Sequence, residues 1–167
     1  MKKNRPYRMF FPVLLFLLLL MSCCSEMALC QDLNGDSLQR AITLAKNDSE
    51  KIMALQACAD YFIRQKVYDA KAMAFLEESA QLAEKRHAIF EKANAAILSG
   101  EYYFNKSDWS KSIATTEIAL QLAPGIINTD KKREILYKAQ LNLAEIYNYN
   151  GDYTVALEHR LVALRTV

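Results

Sequence analysis

Glycine and proline are scarce, at 4 and 3 in 167 residues. That excludes collagen-like, linker-like and turn-rich β architectures. Only two histidines occur, His87 and His159, with no cysteine or carboxylate at ligand spacing around either, so no metal site is expected. Nucleophile motifs, phosphate loops and dinucleotide fingerprints are missing. No catalytic residue and no cofactor are therefore assigned, and an enzyme is not expected. A strong charge of one sign is lacking too. The formal charge of +2 comes from Lys2, Lys3, Arg5 and Arg8; without them 17 basic residues face 19 acidic ones. A nearly neutral body gives no electrostatic reason for nucleic-acid binding. Of four cysteines only Cys58 lies beyond the first thirty residues, so an internal disulfide is not expected.

What is abundant is alanine, leucine, glutamate and lysine, a composition that suits helices. The first thirty residues differ from the rest. Basic residues precede an apolar run from Met9 to Met21, shorter than the roughly 20 residues a spanning helix needs and suited to a secretory signal. Leu20-Met21-Ser22-Cys23 follows, with a large aliphatic, a small residue and then cysteine. It resembles the bacterial lipobox, and the resemblance implies that Cys23 is lipidated and becomes the mature N-terminus. Cleavage after Cys30, with Ala28 two positions before it, and an uncleaved N-terminal anchor remain open. The expected location is the periplasmic face of a bacterial cell envelope, lipid-anchored or else soluble. Residues 31–36 read as a polar tether.

The body, 37–167, shows apolar residues at helical spacing throughout. Asp36 and Ser37 are expected to cap a helix over 38–46. Asn47 with Glu50 reads as a capping box for a helix to about Gln65. After a turn at Tyr68-Asp69, a third helix is expected to run to about Arg86, followed by a short link at His87. The next is expected over 93–105, then one from Trp109 to the stop at Ala123-Pro124-Gly125. Asp130 opens a helix to Asn150. Gly151 is suited to the left-handed conformation after a helix end, and Asp152 begins the last helix. Both histidines are expected to be solvated.

The helices repeat. Leu44, Leu82 and Leu122 recur in similar contexts, and small residues sit where helices must approach: Ala119, Ala144, Ala156 and Ala163. Gly100, Tyr103, Trp109, Pro124, Tyr147, Gly151 and Tyr153 complete a pattern that resembles the tetratricopeptide repeat. The copies are a half copy at 37–46 and full ones at about 48–86, 88–126 and 130–167. The resemblance implies an all-α fold of antiparallel helix pairs stacked as a right-handed solenoid. It further implies a protein-protein interaction scaffold that binds a peptide or protein in a concave groove. Tyr147 and Tyr153 are expected to fill gaps between helices. The last helix leaves Leu157, Leu161 and Leu164 without a covering neighbour. This suggests a second reading, the N-terminal sensor segment of a longer membrane-bound signalling or transcription-regulatory protein.

In tetratricopeptide arrays the first helix of each pair lines the groove. Carrying those positions across gives Asp60 and Arg64, then Glu101 and Asn105, then Glu145, Asn148 and Tyr149. Asp60, Glu101 and Glu145 fall on one groove position in successive copies. Lysine and asparagine would be needed there to clamp a terminal carboxylate, so a basic or polar peptide is the expected partner.

Overall fold

The computed structural model describes residues 35–66 and 70–166, and every regular element within them is helical. The expected signal segment 1–30 with Cys23 and Cys30, most of the expected tether, and the expected turn at Tyr68-Asp69 lie outside the described residues. Residues 38–167 form one compact unit. The helices are α1 (35–44), α2 (Asp48–Arg64), α3 (Ala70–Lys85), α4 (Ile89–Asn105), α5 (Trp109–Leu122), α6 (Thr129–Asn150) and α7 (Tyr153–Thr166). A short 3₁₀ turn, Ala123–Gly125, closes α5.

Local chemistry sets most of these boundaries. Asn47 Oδ1 accepts from the Glu50 N–H at 2.9 Å, and Glu50 reaches back to the Lys46 N–H at 2.8 Å. That reciprocal cap opens α2 and turns residues 46–47 out of α1, which therefore ends at 44 rather than 46. At its other end α1 already includes Asp36 and Ser37, which are helical residues and not its caps. Asp108 caps α5 through Lys111 N–H, and Asn128 caps α6 through Lys131 N–H at 2.9 Å.

The helix ends share a second device. Ala88 N–H bonds Ala83 O, Asp108 N–H bonds Tyr103 O, and Asp152 N–H bonds Tyr147 O, each at 2.8–3.0 Å. The residue before each donor, His87, Ser107 or Gly151, has positive φ, at 53°, 58° and 90°. This is the Schellman closure, which satisfies the last carbonyls of a helix and reverses the chain in two residues. The tight reversal at His87 lets α4 begin at Ile89, four residues earlier than expected.

Each helix from α2 to α7 packs on the next in sequence, and α2 also packs on α4 and α4 on α6. Among the described residues α3 does not pack on α5, nor α5 on α7. Helices α2, α4 and α6 therefore form a contiguous layer, with α3, α5 and α7 laid against it. Ala59, Ile63, Ala72, Leu76, Leu98 and Tyr102 bury one apolar cluster between the first pair and α4. Ala93, Ile97, Ala119, Ala123, Ile135 and Ala139 bury a second between α4, α5 and α6. Each buried leucine or isoleucine contributes about 1.5–3 kcal/mol.

Small residues allow the close approach. Ala119, Ala144, Ala156 and Ala163 are all buried. At Gly100 a Cβ would overlap Thr116 Oγ1. Ser112, equally buried, donates its hydroxyl to Gly100 O at 2.7 Å, so a serine is tolerated where a small residue is required. Tyr102 is buried in α4, with Tyr103 partly buried against the same cluster. One aromatic expectation changes. Tyr153 is 70% exposed instead of filling a gap, since α7 packs on α6 alone among the described residues.

Candidate functional site

The face built by α2, α4 and α6 carries a groove of about 430 Å³. Met53, Ala57, Phe90, Ile97 and Leu98 supply its apolar lining. Asp60, Arg64, Glu91, Glu101, Lys131, Glu134 and Lys138 bring charge to it. A small cleft adjoins it, lined by Phe104, Asn142 and Glu145, and Glu101 borders both.

The three layer helices are held in register by amides. Gln56 Nε2 donates to Glu91 O at 2.7 Å, and Asn94 Nδ2 donates to Gln56 Oε1 at 2.8 Å. Gln56 also reaches the buried Ser79 hydroxyl on α3 at 3.3 Å. Asn105 Nδ2 donates to Ile63 O at 3.2 Å, and Asn142 Nδ2 to Glu101 Oε1 at 3.4 Å. Amides suit this place because they bond across helices without the desolvation cost of a charge.

The expected acidic positions share one geometry. Asp60, Glu101 and Glu145 each lie six positions before the left-handed residue that ends their helix: Lys66, Ser107 or Gly151. Asp60, Arg64 and Glu101 line the same groove, and Glu145 stands in the adjoining cleft. Asn105 is spent on the α2 terminus rather than free for a ligand. Asn148 is half-buried, outside the lining of either cavity. Tyr149 is 66% exposed, stacked on Trp109 at 6.3 Å and edge-on to Phe104 at 5.1 Å.

The acids do not form an unbroken negative track. Arg64 Nε binds both Asp60 oxygens, at 2.8 and 2.9 Å. Lys138 binds Glu134 at 2.6 Å, and Lys131 lies 3.7 Å from Glu91 with its ammonium over the Phe90 ring. Glu101 differs from these. Burial pushes its carboxyl up, and the Asp60 charge adds to the effect; the Asn142 hydrogen bond, Arg64 and Lys138 oppose it. Met53, Phe90, Glu91, Lys131, Glu134 and Asn142 were missed in the sequence. Two had a signal: Glu134 sits one turn before Lys138, and Asn142 one turn before Glu145, each pair on one helical face.

His159 departs from the solvated expectation. It stacks on Tyr147, with ring centroids 5.4 Å apart, and its Nδ1 lies 2.6 Å from Gln140 Oε1. Burial holds its pKa below the usual histidine value. His87 is exposed. Cys58 is buried, and burial pushes its thiol up. Among the described residues no group of three His, Cys, Asp or Glu side chains is placed to hold a metal ion. Also among them, no helix is long and apolar enough to cross a membrane. No family model, curated protein or solved structure matches the chain.

Proposed function

We propose that the chain is a tetratricopeptide-type helical solenoid that binds a peptide or protein along the groove of α2, α4 and α6. The observation that carries this reading is the packing order. The first helices of successive pairs touch one another, the second helices do not, and the groove lies on the first-helix layer. An array built this way presents an extended concave surface, and such surfaces suit extended partners. The recurrence of Asp60, Glu101 and Glu145 at one place relative to the turn supports repetition of the unit itself.

The proposed setting is the bacterial cell envelope, with the chain tethered through a lipid on Cys23. Sequence alone supports this part. Cys23→Ala should abolish lipid labelling and release the chain from membranes; retention of the variant in the membrane without a label counts against the tether. For the groove, capture of partners from the native envelope should be compared with a Glu101→Lys, Glu145→Lys variant. Loss of specific partners is expected. Equal recovery of every partner would reject the groove as the binding surface.

A further inference from the structure

Charge in the groove does not balance group by group. Three cations enter it, and each is held by a carboxylate of its own: Arg64 by Asp60, Lys138 by Glu134, Lys131 by Glu91. Glu101 is left over. It has no ion pair among the described residues, and its one hydrogen bond is the long contact to Asn142 at 3.4 Å. A carboxylate carries about four acceptor sites, so most of its capacity is unmet at the point where the groove and the cleft join. Arg64 and Lys138 act on it only from a distance, so a partly desolvated carboxylate with no ion pair of its own is costly, and a ligand that brings a cation recovers part of that cost.

The surroundings narrow the ligand. The buried Ile97 and Leu98 form the floor of the groove beside Glu101, and the exposed Met53 and Ala57 add apolar surface to its lining. That suits the aliphatic stem of a long basic side chain better than a bare inorganic cation. On the cleft side stands Phe104, in contact with Tyr149 and Trp109. Exposed aromatic faces next to carboxylates attract ammonium and guanidinium groups. Glu145 lines the same cleft.

We infer that Glu101 is the seat for a lysine or arginine side chain of an extended peptide, with the stem against the apolar groove lining around Ala57 and the flanking residue against Phe104 and Tyr149. This deepens the groove reading above and rests on it. The three cations already in the groove set a limit: a peptide rich in basic residues would meet Arg64, Lys131 and Lys138. The site therefore selects one basic residue at one position, not a polybasic segment.

The test uses the full chain, purified in detergent, and a library of blocked octapeptides randomised at every position. Captured peptides are sequenced, and the best is titrated against the parent, Glu101→Gln and Glu77→Gln. Glu77 is exposed on α3, away from the groove. The library should enrich a single lysine or arginine, and Glu101→Gln should weaken its binding about tenfold while Glu77→Gln leaves it unchanged. Thermal melting of each variant checks that the fold is kept, and binding to Glu101→Gln of a second enriched peptide with glutamine for its basic residue should match binding to the parent. Enrichment of peptides that lack a basic residue yet cross-link to a photoreactive residue substituted for the groove-lining Ala57 overturns the cation seat and leaves the groove standing. Basic peptides indifferent to Glu101→Gln overturn it equally. Enrichment of nothing overturns both.

Discussion

At Gly100 the separation of α4 and α5 is set by a missing side chain. A Cβ would overlap Thr116 Oγ1 and come within 3.3 Å of Ser112 O. Gly100→Ala gains helix propensity, worth up to about 1 kcal/mol, but overpacking costs about 1–3 kcal/mol. Urea denaturation should show a net loss of about 1–2 kcal/mol, most of it recovered when Thr116→Ala is added. A neutral single variant would mean the interface is looser than its geometry. Glu101 makes the opposite case, a charge the fold would be more stable without. Its carboxyl is raised in the folded state, so the folded chain binds that proton more readily than the unfolded one. Stability from this group is therefore lost as pH rises through its raised value and regained as pH falls below the ordinary carboxylate range. Glu101→Gln should raise the thermal midpoint at neutral pH, with the gain shrinking on acidification. A variant destabilised equally at every pH would contradict that sign.

At the scale of helices, the sequence was most legible where an apolar stripe met a recognisable cap. The Asn47–Glu50 box, the stop at Ala123-Pro124-Gly125 and the left-handed Gly151 are all found where side-chain chemistry requires them. Three other left-handed positions, Lys66, His87 and Ser107, were not legible, because none is glycine. At His87 and Ser107 the conformation comes from the tertiary demand for a tight reversal, which overrides local preference. That strain is testable. Glycine at His87 or Ser107 should raise stability by about 0.5–1 kcal/mol each, while Gly151→Ala should lower it by about 1 kcal/mol. Denaturant midpoints measure all three; a loss on Ser107→Gly would show that its side chain, not its backbone, holds the turn. The site was legible only in part for a related reason. The tetratricopeptide resemblance assigns Asp60, Glu101 and Glu145 to one groove position, and spacing of four exposes the Arg64–Asp60 and Lys138–Glu134 pairs. The Lys131–Glu91 and Asn142–Glu101 contacts cross between helices and depend on register, which no single helix reveals.

For the whole molecule, the packing order separates a layer of α2, α4 and α6 from the helices laid against it. The groove, the cross-helix amides and the recurrent acids all belong to that layer. The proposed partners therefore meet this layer and not the helices outside it. The direct measurement is photo-cross-linking in the native envelope, with a photoreactive residue at Ala57 in the groove or at Glu77 on α3. Discrete cross-linked partners are expected from position 57 and none from position 77. Partners captured from position 77, with position 57 silent, would contradict this expectation.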